Sequence, residues 1–437
     1  MTGTRRSITV GVAALTLALS SAPLLAADSA SAGFHLGSIP LEFLLFGLTL
    51  LGVAVFHHHT FGVAVSGFAA IAAYKTAVTG FAAGSGLSGL AAHLAGESVT
   101  LANLFLLLLG FALLARHFER SGIPDALPAR LPHSAVGAFA LLVIVFVLSA
   151  FLDNIAAALI GGTIARHLFD NKVHTGYVAA LVAASNAGGA GSVVGDTTTT
   201  MMWIAGVSPL EVFRAYVAAV AALIACGIPA ALQQHRFSPI RARPAPDTPL
   251  DWTRLVIVAA ILLAAIGANI VGSTWAPWLA ARVPLIGLAV WATLLLAAPI
   301  RRPDWHLARE NLAGAVFLLA LVAAASMMPV QHLAKPSWLT TLGLGAVSAL
   351  FDNIPLTALA LRQGGYDWGF LAYAVGFGGS MLWFGSSAGV AIAGLYPESR
   401  NALRWATAGW HVALAYLVGF WVILAIIGWH PTPLNPH

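Results

Sequence analysis

Ser149-Ala150-Phe151-Leu152-Asp153-Asn154-Ile155 recurs later in the chain as Ser348-Ala349-Leu350-Phe351-Asp352-Asn353-Ile354. In each copy an Asp-Asn pair stands inside a long apolar stretch, 135–168 in the first case and 338–363 in the second. The likeness continues downstream, where Gly188-Gly189 followed by Gly195 matches Gly378-Gly379 followed by Gly385. A duplicated pattern of this kind in an apolar chain raises two questions: how the copies sit in a bilayer, and why carboxylates interrupt them.

About 20 apolar residues span a membrane, and such runs lie at 39–56, 60–80, 99–116, 173–206, 209–233, 253–274, 283–300, 310–329, 367–396 and 402–429. Lys and Arg set the orientation, because cytoplasmic loops carry them in excess. With the start outside, Arg116, Arg120 and Arg130 fall inside. If 135–168 crossed the membrane, Arg166 and Lys172 would fall outside; as a re-entrant hairpin it keeps them inside. Arg236, Arg241, Arg243, Arg301, Arg302, Arg309, Arg400 and Arg404 then stay inside as well. Charge therefore favours a hairpin at 135–168, and a second one at 338–363 entering from the opposite side.

The Pro- and Arg-bearing linker 234–252 separates a first membrane repeat, 33–233, from a second, 253–437. Each is read as five transmembrane helices and one hairpin. An odd number of spans lies between the hairpins, so the repeats are inverted, as in secondary transporters whose site lies between repeats at mid-membrane. The expected fold is an all-α polytopic membrane protein.

Composition supports that class. Only 8% of residues are charged, 59% are hydrophobic and the mean hydropathy is +0.86, against about 25% charged in a soluble domain. A soluble enzyme, a nucleic-acid binder and a disordered chain are excluded, and the net charge of +5 reads as loop anchoring. Residues 1–32 read as a secretory signal, with Arg5 and Arg6, an apolar core, and Ala30-Ser31-Ala32 as cleavage site. Cleavage would leave the mature amino terminus outside the cell (inner) membrane. The single cysteine, Cys226, has no intrachain partner for a disulfide.

Asp153, Asp196 and Asp352 carry the chemistry. Each opposes insertion by about 2.5–3.5 kcal/mol at the bilayer centre, and no cation lies close in sequence except Arg362 at the far end of the second hairpin. A cation or a proton is then the expected partner. Oxygen-bearing neighbours surround them: Asn154 and Asn353 follow two of the aspartates, Ser185-Asn186 precede the glycine run that begins at Gly188, and Thr197-Thr198 follow Asp196. Glycines let a helix unwind, and freed carbonyls together with carboxylates suit hard cations. A carboxyl group in a low-dielectric setting holds its proton more tightly than in water. One site can then take a proton or a cation, but not both, which suffices for antiport. The second half replaces Asp196-Thr197 by Ser386-Ser387 and adds Ser380, so the first half is the stronger cation site, with Na⁺ expected at Asp153, Asn154 and Asp196.

Other signals are discounted. His57-His58-His59 reads as an interfacial turn, Lys75 as a snorkelling side chain, and His411 as a packed histidine. No nucleotide-binding loop is present, so neither ATP drive nor a cofactor is expected.

Ser185-Asn186-Ala187-Gly188-Gly189 through Gly195-Asp196-Thr197-Thr198-Thr199, with Met202-Trp203 and the two Asp-Asn hairpins, resembles the signature of the NhaD-type bacterial sodium/proton antiporters. These belong to the ion transporter superfamily, with citrate and dicarboxylate transporters and arsenite permeases. The resemblance implies an elevator-like homodimer with two re-entrant hairpins. It carries over Asp153, Asn154, Asp196 and Thr197 as ion-site residues on one side, and Asp352 and Asn353 on the other. The chain departs from the pattern at Gly191-Ser192-Val193-Val194, where the antiporters tend to have Trp-Ser-Pro-Ile. The expected function is Na⁺(Li⁺)/H⁺ antiport. The alternative is a Na⁺- or H⁺-coupled carrier of citrate, another carboxylate or another anion, which uncompensated carboxylates disfavour.

Overall fold

The computed structural model describes residues 33–36, 39–56, 59–126, 131–240 and 249–433. The signal-like segment 1–32, His57, His58 and residues 241–248 of the Pro/Arg linker lie outside them. Apart from a two-residue antiparallel pairing of His35–Leu36 with Ile39–Pro40 and one isolated bridge, the described residues form helices and their connections.

Up to residue 240 these are α1 (Leu41–Val55), α2 (Thr60–Tyr74), α3 (Gly86–Glu119), α4 (Ala135–Ser149), α5 (Asn154–Leu168), α6 (Thr175–Ala190), α7 (Thr197–Ile204) and α8 (Ala215–Phe237). After the linker come α9 (Trp252–Ile270), α10 (Leu285–Ala297), α11 (Leu312–Ser326), α12 (Trp338–Ser348), α13 (Asn353–Gln363), α14 (Trp368–Gly378), α15 (Ser387–Leu395) and α16 (Trp410–Ile426), with shorter helices between.

The outer surface is apolar. Leu263 and Leu296 are 68% and 79% exposed, and Leu48, Trp275 and Ile426 are also open. In water such a surface would associate or aggregate; lipid is the solvent that tolerates it. Among the described residues four segments, 60–79, 86–119, 209–237 and 252–270, are helical, long and apolar enough to cross a bilayer. Ala402–Ala408 with Trp410–Ile426, bent by 63°, makes a fifth if taken together. The chain is an all-α, multi-pass membrane protein.

Several expected spans need correction. The runs at 39–56, 283–300 and 310–329 hold helices of only 15, 13 and 15 residues. At 1.5 Å per residue these are about 20–22 Å long, short of a core of about 30 Å. Pro40 and Pro284 stand at the amino-terminal caps of the first two. The runs at 173–206 and 367–396 are interrupted at their glycine stretches, as the unwinding expected there requires: the first breaks between Ala190 and Thr197, the second between Gly378 and Ser387. In the other direction, α3 is 34 residues long and starts well before the expected residue 99. Its glycine-containing first turns persist because Gly89 lies on the backbone of Gly84, where a Cβ would meet the carbonyl oxygen at 2.2 Å.

Both halves show the same close approaches. A Cβ on Gly188 would lie 2.0 Å from the Phe146 carbonyl oxygen, and one on Gly378 would lie 2.2 Å from that of Gly345. At Gly189 and Gly379 the obstructing atoms are the carbonyl oxygens of Gly195 and Gly385, each at 2.7 Å. In both cases the broken helix is pressed backbone to backbone against the hairpin's first helix.

Helices from different halves interleave. α2 packs on α11, α3 on α10, and α8 on α16. The second helix of each hairpin rests on the short helix beyond the other half's break: α5 on α15, and α13 on α7. The two hairpin tips and the two helix breaks therefore meet in the interior.

Candidate functional site

Each Asp-Asn tip is built by a helix start. α4 ends at Ser149, and after a short turn Asp153 caps α5, its Oδ2 accepting from the Ile155 amide at 3.1 Å. Asp352 caps α13 in the same way, with Oδ1 accepting from Ile354 at 3.0 Å, and its Oδ2 accepts from the Ser387 hydroxyl at 2.9 Å. Asp196 caps α7: its Oδ1 accepts from the amide and hydroxyl of Thr198 at 2.8 and 3.0 Å. All three of these carboxylates thus sit at helix amino termini, whose free N–H groups and dipole favour negative charge. Reading them as uncompensated overlooked this partner, although Asp ahead of an apolar helical run is a standard start signal.

The centre is a polar chain in an apolar interior. Asn154, 5% exposed, donates through Nδ2 to Asn186 Oδ1 at 3.1 Å and to Asp196 Oδ2 at 3.0 Å. Asn186, fully buried, donates onward to the hydroxyls of Ser380 and Ser386 at 2.9 and 3.1 Å. One network therefore joins the first hairpin tip, the first break and the second break. Gly376 on α14 borders it, at ordinary contact distance, with the Asp196 Oδ2 3.9 Å from where a Cβ would stand.

A cavity of about 370 Å³ reaches this network. Asp153, Asn154, Asp196, Thr197, Thr200, Asn353 and Ser387 line its polar part. A second cavity, of about 270 Å³, holds Asp352 and shares Ile155, Phe317 and Ser387 with the first. The Asn353 Nδ2 group is buried without a hydrogen-bond partner. Its counterpart Asn154 has two acceptors, which the second half lacks because Gly376 and Ser386 stand where the first has Asn186 and Asp196.

The other expected residues have supporting places. Ser185 is buried and donates to the Val182 carbonyl at 2.9 Å. Gly188 is a contact with α4, and its carbonyl accepts from the Tyr216 hydroxyl at 3.0 Å. Thr198 faces Asp196, while Ser380 and Ser386 hold Asn186. Two carbonyls of the first break, those of Ser192 and Val193, accept from the hydroxyls of Thr199 and Thr200 at 2.5 and 2.9 Å. Those threonines re-satisfy the opened ladder. His411 is buried, with Nε2 3.3 Å from Gln233 Oε1.

Among the described residues no three His, Cys, Asp or Glu side chains converge as a metal site. An ion held here would rest on one or two carboxylates with neutral oxygens.

No model of a known protein family matches the chain. It is similar to two proteins of Arabidopsis thaliana. It is 26% identical over 292 residues to sodium/proton antiporter 1, covering 58% of this chain and 49% of that one. It is 25% identical over 282 residues to sodium/proton antiporter 2, covering 56% and 66%. The matches thus span less than two thirds of either relative.

Proposed function

We propose that the protein is a secondary transporter exchanging Na⁺ or Li⁺ for H⁺, and not an enzyme. The observation that carries this reading is the chain Asp196–Asn154–Asn186, buried between the two halves and open to a cavity that also holds Asp153. Likeness to two proteins named sodium/proton antiporters supports cation/proton exchange as its general class.

In this reading a monovalent cation enters the cavity and is held by Asp153 and Asp196 with oxygens of Asn154 and Thr197. Its arrival displaces the proton a carboxyl group holds in a dry interior, and reprotonation releases it on the other face. Asp352 with Ser387 holds a second proton or ion. The two halves are inverted repeats with re-entrant hairpins at 135–168 and 338–363, supported by the recurring glycine contacts and by the exchange of helices between halves. The unit is an elevator-like homodimer of the ion transporter superfamily, of NhaD type, in the inner membrane.

The test is proton movement in inside-out vesicles on addition of Na⁺, Li⁺, K⁺ or citrate. The expected result is that Na⁺ or Li⁺ collapses an imposed pH gradient, and that Asp153→Asn and Asp352→Asn each abolish the response. Uptake of an anion together with Na⁺, with no response to cations alone, would replace antiport by a coupled carboxylate carrier. Chemical cross-linking in the native membrane tests the dimer.

A further inference from the structure

The cavity that reaches Asp153 and Asp196 has a second, charged end. One face of α3 forms its wall from Leu104 through Leu107, Leu108, Phe111, Ala112 and Ala115 to Arg116 and Glu119. Residues 104 to 119 on one helical face extend about 22 Å. The wall is apolar until its last turn, where a guanidinium and a carboxylate face the cavity together.

These groups belong to an ion-pair cluster with an uneven division of partners. Arg116 Nη1 is 2.8 Å from Glu119 Oε2, and its Nε is 3.5 Å from Asp304 Oδ2. Asp304 is also paired with Arg120 at 2.7 Å. Among the described residues Glu119 is paired with Arg116 alone, whereas Asp304 has two arginines. Arg116 can therefore turn from Glu119 to Asp304 and stay paired. Glu119, about one-third exposed, is then left for another cation.

We propose that Glu119 is an outer holding point for the transported alkali cation at the cavity mouth, with Arg116 as the tethered competitor that the cation displaces. The inference rests on the antiport reading. Physically, a cation leaving bulk water faces an apolar wall before the inner carboxylates, and a carboxylate at the entrance raises its local concentration there. Arg116 keeps the mouth neutral when no cation is present.

The experiment is a Na⁺ titration of antiport in inside-out vesicles for wild type, Glu119→Gln, Glu119→Asp and Arg116→Gln. It is run with choline chloride at about 0.01 M and at about 0.1 M, where the screening length falls from about 30 to about 10 Å. Glu119→Gln is expected to raise the apparent KM for Na⁺ about tenfold at the lower salt, with a far smaller effect on kcat. The difference should shrink at the higher salt. Glu119→Asp should restore most of the loss, and Arg116→Gln should shift KM the other way. A KM unchanged by Glu119→Gln, or a fall in kcat alone that does not depend on salt, would overturn the inference and leave the antiport reading standing. No Na⁺-driven proton movement in wild type would overturn both.

Discussion

Asp153 accepts a hydrogen bond from the Ile155 amide and lines the larger cavity, so the same oxygens start a helix and face the space through which an ion would pass. Asn caps helices as well as Asp, whereas Ala does not, at a cost of about 0.5–2 kcal/mol. Asp153→Asn should therefore keep thermal stability in detergent close to wild type while abolishing Na⁺-driven proton movement, and Asp153→Ala should lose both. Wild-type transport in Asp153→Asn would reduce the residue to a cap. The tips were legible in the sequence because an Asp-Asn pair in an apolar run has no cheap explanation and occurs twice. The reach of Asn186 to Ser380 and Ser386 was not, since hydrogen bonds between residues some 200 positions apart follow from packing that no local pattern encodes.

Helix breaks and hairpins meet through backbone contact, and the glycines there are a condition of that packing. Gly188→Ala would place a Cβ 2.0 Å from the Phe146 carbonyl oxygen, and Gly378→Ala one 2.2 Å from that of Gly345. Each should destabilise by about 1–3 kcal/mol or more, read as a lower melting temperature and a smaller monodisperse fraction. Gly343→Ala on α12 meets nothing within 4 Å and should be neutral or raise stability by about 0.5–1 kcal/mol. Ser337 closes a capping box with Thr340 at the start of α12, so Ser337→Ala should cost about 0.5–2 kcal/mol, measured in the same melts. Hydropathy located the apolar runs but misjudged the helices within them. It counts residues without seeing that Pro40 and Pro284 cap short helices, or that Gly89 can pack inside a long one.

At the scale of the molecule, the two halves are not separate folding units. α2 lies on α11, α3 on α10 and α8 on α16, and each hairpin is completed by the other half's short helix. Asp251, at the start of the second half, donates its amide to the Ser121 carbonyl of the first, while its carboxylate pairs with Arg301 and Arg254. The Asn154–Asn186–Ser380 chain crosses the same divide. Burial of the inner helix faces therefore needs both halves, although the covalent connection between them runs through a Pro- and Arg-bearing linker. Cutting the chain between Pro244 and Ala245 should leave the packing intact, because polar, Pro-bearing connections tolerate a break that packed elements do not. Residues 1–244 and 245–437, expressed as separate chains in one cell, should co-purify through a tag on either and restore Na⁺-driven proton movement, while each alone should be degraded or aggregate. A first half that is stable and monodisperse by itself would mean that the interleaved contacts are docking between finished domains. The buried network would then be a later assembly step, and no longer a condition of folding.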